Sequence, residues 1–459
     1  MLSKRLFLCS SVAILCSGVS AYALTAEQVW ADLQAMAAKN GSEVKAATEV
    51  KSNGTMTLNG VTAGPAGQPA RVTIAEVVIE EQADGSVVFL PDDIKIEKSD
   101  TTTASITEDA LAVRVFEDAG GLGYGVTADR LSISFDDNQG TGDTAMRNAG
   151  TFNFEGLVAN YGRAVDAITF GIDASRVVYD LTNASPAAGM DSVSTSDTAN
   201  LSMTGKISVP EGIDITALDD DAAFADAVNR GLAMTATMTN GPSNGTMTDK
   251  GTAAPFSATF AGEGGATNIV ADKSRLLFDA SVPGMKLEIT PPGMPMPLPV
   301  SMDSMSMTYE MPISAPEGGA YQLKLGLSNL VVSEAIWGMF DPGAALPRDA
   351  ATLDIDISGQ AKLDLLGMAA AEKAGTPPPM PEPISLDVKA LGLKLAGAAL
   401  SGNGAFTFDN SMLAMGGPPM PIGTANLRLE GGNKLIDGLI ATGLLKEEDA
   451  MGARMMMAM

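Results

Sequence analysis

The chain has 459 residues, 55 Asp+Glu against 29 Lys+Arg for a formal charge of −26, no His, and 45% hydrophobic residues. Apolar content of that order supplies a buried core, so this is no disordered acidic chain, and the acidic excess works against nucleic acid and anionic membrane surfaces as partners. With no His and only Cys9 and Cys16, a Ser-His-Asp triad, an ordinary Zn site, haem and an iron–sulfur cluster are all excluded.

The N-terminus has the pattern of a secretory signal. Lys4 and Arg5 precede the apolar stretch Leu6 to Val19, too short to span a bilayer, and Ala21-Tyr22-Ala23 is a small-x-small cleavage site. Residues 1–23 are expected to be removed, which takes both Cys and two positive charges. Lipidation at Cys16 is disfavoured by Leu15 before it. The expected location is the periplasm, with outer-membrane association or secretion left open, and no later membrane span is expected. Residues 24–459 read as one large β-rich domain, with internal halves at about 24–200 and 201–459 as the alternative.

The mature chain opens on a helix over 25–40. Thr25 is its N-cap, and Val29, Leu33, Met36 and Ala37 share a face. From about residue 44 to 430 the period is two. Apolar residues alternate with polar ones at Val72/Ile74, Leu131/Ile133/Phe135, Met305/Met307/Tyr309/Met311, Leu323/Leu325/Leu327, Leu353/Ile355/Ile357, Ile384/Leu386/Val388 and Leu391/Leu393/Leu395. That period sends one apolar set to one face of a pleat. Asn53-Gly54, Asp84-Gly85 and similar turns punctuate the runs, which predicts antiparallel meanders. Short helices are expected at 219–231, 333–340 and 433–455. Three Pro-Pro segments, Pro291-Pro292-Gly293-Met294-Pro295, Pro378 to Pro381 and Pro418 to Pro421, read as rigid connections or strand entries.

Chemistry-bearing clusters are few. Asp136-Asp137-Asn138-Gln139-Gly140 with Asp143 has the oxygens of a Ca²⁺ loop without EF-hand spacing, and its simpler reading is a solvated hairpin turn. Asp219 to Asp221 reads as helix-start charge, and Asp354 and Asp356 as exposed polar-face residues. Trp30 and Trp337 lie on apolar helix faces and read as core. The 27 Met fill apolar space or form an adaptable lipid- or partner-facing surface; Cu(I) binding calls for compact Met arrays.

The segment Asn329 to Gly359, with Trp337, Asp341-Pro342, Leu346-Pro347-Arg348-Asp349 and the strand from Thr352, is distinctive together with Asn433 to Met456. It resembles a domain-of-unknown-function family of secreted Gram-negative envelope proteins without an assigned activity. The strand pattern is similar, more distantly, to the AsmA-type periplasmic β-groove proteins. The resemblance implies no catalytic residues. It implies a further strand or two after the last helix, where this chain stops at Met459. Either those strands are lacking or the Met-rich helix end packs over the sheet edge.

The expected fold is mainly β: a long twisted antiparallel sheet, as meander, groove or partly closed barrel or sandwich, with a few short capping helices. The expected function is non-enzymatic, with no cofactor and no metal. The sheet's apolar face is the candidate surface for lipid or another apolar ligand, lined by Met305, Met307, Tyr309, Met311, Leu323, Leu325, Trp337, Leu353, Ile355 and Ile357. The alternative is a closed structural or envelope-protein-binding body. A carboxylate-based hydrolase ranks last, because sugar sites use aromatic platforms that two Trp and six Tyr scarcely provide.

Overall fold

The computed structural model describes residues 23–458 apart from 40, 98–100, 119–120, 143–144, 165, 214–217, 219–220, 253–254 and 295. Residues 1–22 of the expected signal peptide, Asp143 and Asp219-Asp220 thus lie outside the described residues. The protein is mainly β and antiparallel, with a few short helices. It divides into two compact units, Met1–Lys206 with Gly251–Ala253, and Ile207–Lys250 with Ala254–Met459.

Unit 1 runs through α1 (Ala26–Lys39), β1 (Ser42–Lys45), β2 (Thr48–Ser52), β3 (Thr55–Pro65), β4 (Val72–Glu81), β5 (Val87–Ile96), β6 (Thr102–Asp109), β7 (Ala112–Asp118), β8 (Gly121–Gln139), β9 (Met146–Arg163), β10 (Ala167–Ser185) and β11 (Met190–Ser208). The helix begins where Thr25 predicts it. Gln28 N–H donates to Thr25 Oγ1 and Thr25 N–H donates back to Gln28 Oε1, both at 3.3 Å, which satisfies two helix-start donors reciprocally. Its face, Ala26, Val29 and Trp30, is buried on Met56, Leu58, Val61, Val77, Ile79, Val87 and Val115 of β3, β4, β5 and β7. Trp30 Nε1–H reaches Glu49 Oε1 at 2.9 Å, so the indole is buried with its one donor satisfied.

Strict alternation fails inside this core, for a specific reason. Leu58 and Val61 are both buried, yet a three-residue step in a regular strand points to opposite faces. Gly60 between them has φ +60°, and the register steps from Leu58↔Val77 to Val61↔Ile74. The ladder keeps its register on either side of the unpaired Gly60, and Leu58 and Val61 are both buried in the core. β4 then pairs β5, β5 pairs β7, and β8 takes β6 and β7 in tandem on one side and β9 on the other; β9 pairs β10.

Unit 2 runs through α2 (Asp221–Arg230), β12 (Ala233–Asn240), β13 (Ser243–Asp249), β14 (Phe256–Gly262), β15 (Gly265–Ala271), β16 (Leu276–Thr290), β17 (Leu298–Met311), β18 (Ser314–Val332), α3 (Glu334–Phe340), β19 (Ala351–Asp364), α4 (Leu365–Ala374), β20 (Glu382–Leu395), β21 (Ala398–Asp409), β22 (Met420–Glu430), α5 (Gly432–Ala441) and α6 (Glu447–Ala458). From β16 to β22 each strand pairs the next, a plain meander. The other edge of β16 is shared by β14 and β15. The sequence reading did not foresee α4. Asp364 caps it, accepting Gly367 N–H at 3.0 Å, and Gly375 closes it at φ +63°.

The two segments that carry the family resemblance pack on one another. Trp337 of α3, Leu346 and Ala396 form a small core with Leu435 and Leu439 of α5. A Cβ on Gly438 would lie 2.5 Å from Leu346 Cδ2, so α5 must be bare there for the loop to dock. The expected packing of the Met-rich helix end falls on Met456 to Met459, whose side chains lie outside the described residues. α6 turns back on α5, where Arg454 pairs with Asp437, while every residue of β22 stays exposed.

Candidate functional site

Cross-strand register gathers the sequence's separate apolar runs into rows. In antiparallel sheets directly paired residues share a face. One row is Ala236, Ile269, Phe278, Tyr309, Leu323, Ile357 and Val388, crossing β12, β15 and β16 to β20. The next is Ala280, Met307, Leu325, Ile355 and Leu391. The third is Val282, Met305, Leu327, Leu353, Leu393, Leu400 and Leu429, reaching β22. Met311 extends the face beside Leu276.

The rows survive a break in phase within β20. Val388 pairs Ile357 and Leu391 pairs Ile355, so two residues two apart on β19 meet two residues three apart on β20. Lys389 is the extra residue, an exposed bulge that keeps both apolar halves of β20 on one side.

No member of these rows is buried. Met305 is 41% exposed, Met307 38% and Leu393 39%, and the rest are half-buried or exposed. This contrasts with unit 1, where α1 covers the equivalent face and Leu58 and Ile79 are fully buried. Met305, Met307, Tyr309, Met311, Leu323, Leu325, Leu353, Ile355 and Ile357 are therefore brought together, and Trp337 is not among them. Its indole is buried in the α3 core, with the Arg348 guanidinium 4.6 Å above the ring.

The concave ground lies on the other side of the sheet. A cavity of ≈ 430 Å³ in unit 2 is lined chiefly by Thr235, Thr237, Asn268, Asp279, Thr308 and Gln322, all from positions between the row residues. On this polar face Thr308 donates to Asp279 at 2.6 Å, Lys324 pairs Asp356 at 3.5 Å and Arg275 pairs Glu310 at 3.4 Å. Asp356 is thus partnered and half-buried, where the sequence suggested simple exposure. The apolar rows are an open surface, reached from solvent without passing through a pocket.

Asp136 and Asp137, the described acidic residues of the Asp136–Asp143 cluster, are in ordinary pairing. Asp136 lies in β8, not in a turn, and Arg147 donates to it at 2.9 Å. Asp137 accepts from Thr102 at 2.7 Å. Among the described residues no group of three or more Asp or Glu could hold a metal ion. The buried Asp341 is a structural lock. Its carboxylate accepts Ala345 N–H and Leu346 N–H, each at 2.9 Å, and Arg348 Nη1–H. Burial opposes its ionisation, but those donors together prevail and hold the carboxyl below its ordinary range. Asp341-Pro342 and Leu346-Pro347-Arg348 are therefore the two halves of one clasp that carries the chain from α3 to β19.

The sequence reading missed the contribution of β16. Leu276, Phe278, Ala280 and Val282 alternate, then Met285, Leu287 and Ile289 resume one position out of step. Pro283-Gly284 between them looks like a turn; it lies within β16, whose pairing to β17 keeps its register on both sides, with Gly284 at φ +49°. Two apolar alternations separated by an odd step around glycine were the available signal.

No helix among the described residues is long and apolar enough to cross a membrane. No protein-family model matches the chain, and no curated protein matches it in sequence.

Proposed function

We propose that the chain is a non-enzymatic envelope protein that holds an acyl chain, or a ligand of the same apolar character, against the open face of unit 2. The observation that carries this reading is the set of in-register apolar rows in which no member is buried. Leaving such a face in water is costly: at ~25 cal/mol per Å², covering ~400 Å² recovers about 10 kcal/mol. The chemistry of the rows favours a lipid chain over a protein partner. They consist of Leu, Ile, Val, Met and Ala with one Phe and one Tyr; of the Trp, Tyr and Arg around which protein interfaces concentrate their energy, the rows hold only Tyr309. Met adapts to irregular apolar shapes. Seven strands at about 4.8 Å spacing give a row of roughly 29 Å, close to the ~30 Å hydrocarbon thickness of a bilayer. The signal-like N-terminus supports delivery to the periplasm.

The test is to express the chain with its own N-terminus, purify it from the cell envelope, extract it for lipid by mass spectrometry, and titrate the stripped protein with an apolar fluorophore. Co-purifying acyl species and saturable fluorophore binding are expected, with binding lost in Leu325→Lys/Ile355→Lys while circular dichroism is unchanged. A lipid-free protein that ignores the fluorophore would overturn the reading and favour a purely structural body.

A further inference from the structure

We propose that Met305 and Met307 are a modification site: oxidation of either thioether to the sulfoxide by a peroxide closes the open face of unit 2 to its apolar occupant. The inference rests on the acyl-chain reading and adds its regulation. Two residues apart on β17, the two side chains share the apolar face. They stand in adjacent rows, Met307 between Ala280 and Leu325 and Met305 between Val282 and Leu327. They are 38% and 41% exposed, so an oxidant reaches them from solvent. No Cys occurs among the described residues, so no thiol there competes for the oxidant. Met311, further along β17, differs. Its Sδ accepts from Tyr309 Oη–H at 2.8 Å, which engages a lone pair that the oxidation needs.

In the step itself a sulfur lone pair attacks one peroxide oxygen. The O–O bond breaks as the S–O bond forms; the sulfur gives up two electrons, and the other oxygen leaves as water, or as an alcohol from an organic peroxide. The product turns a flexible apolar side chain into a polar one. The cross-strand partners Ala280, Val282, Leu325 and Leu327 carry no side-chain donor, so only water satisfies the new oxygen. An acyl chain laid across the rows strips that water and leaves a strong acceptor unpaired. On the bare face the oxygen stays hydrated, so the modification acts on binding and not on the fold. Occupancy and oxidation oppose one another, because a bound chain also shields the two sulfurs.

The test compares the full chain with Met305→Leu/Met307→Leu, which removes both sulfurs while keeping size and apolarity. Each is titrated with the apolar fluorophore before and after hydrogen peroxide, with peptide mass spectrometry locating the sulfoxides and circular dichroism confirming the fold. The treated wild type is expected to carry sulfoxide at both positions and to bind at least about tenfold more weakly than before treatment. The variant's affinity is expected to be the same before and after. Saturation with fluorophore beforehand is expected to slow oxidation at Met305 and Met307 but not at Met415, 72% exposed and in no row. An untreated wild type that ignores the fluorophore overturns the acyl-chain reading and this proposal with it. Untreated binding that survives oxidation of both residues, peroxide that leaves both unmodified, or a variant weakened to the same degree overturns this proposal alone.

Discussion

Tyr124 shows how much one atom can matter in this protein. Its ring packs against the unit 1 core, but its hydroxyl is buried without a hydrogen-bond partner. Burial, with Tyr161 and Asp32 nearby, pushes its pKa up to about 12. The neutral form is favoured in the folded state, so the stability attached to this group is complete below the ordinary tyrosine range near 10 and drains away as pH rises toward about 12. Tyr124→Phe discards an unsatisfied polar atom without opening a cavity. It is expected to stabilise unit 1 by about 1 kcal/mol at neutral pH and to remove part of the alkaline loss. Urea unfolding of both proteins at pH 7 and pH 11 checks this. The sequence could not have revealed the orphaned hydroxyl, since Tyr124 sits in an ordinary Gly-Tyr-Gly-Val alternation. Trp30 was legible as core because it falls on a helix face with apolar neighbours at helical spacing, whereas Trp337, read both as core and as a lining residue, is only the former.

At the scale of elements, strands were readable wherever the two-residue rhythm ran unbroken, as in Leu323 to Leu327 and Leu353 to Ile357. What the rhythm hides is where one strand becomes two in the eye of the reader. β16 was missed at Pro283-Gly284, and β20 was read as two runs on either side of Lys389. α4 was missed because its Ala-rich body has little amphipathic pattern, leaving only Asp364 and Gly375 as markers. Deleting Lys389 tests the role given to the bulge. The deletion forces either Leu391 and Leu393 or Leu386 and Val388 onto the polar face. Hydrogen exchange is expected to accelerate through β20 and its neighbours β19 and β21, with no change in α1 or β3. Unaltered protection in β20 would show that the extra residue sets nothing.

For the whole molecule, the two units divide their apolar surface differently: one seals it under α1, the other leaves it open. Substitutions should therefore diverge in cost by location even when the chemistry is the same. Leu58→Ala in the sealed core is expected to cost about 2–5 kcal/mol. Leu325→Ala, at a half-buried row position, should cost about 1 kcal/mol or less, as surface positions do. Chemical denaturation of the two variants gives the comparison, and equal losses would mean the rows are covered in solution. The general shape of this answer was present in the sequence, since one-sided alternation over so many strands demands a cover. Which stretch had one could be seen only from the packing of α1 and the exposure of β17 to β20.

The open face also governs how the protein responds to temperature. Heat-capacity change on unfolding follows newly wetted apolar area, and the rows of unit 2 are wet before unfolding begins. Unit 2 is therefore expected to show a broad, shallow stability curve, which an occupant of the face would sharpen as it dries the surface; differential scanning calorimetry with and without an apolar ligand checks this.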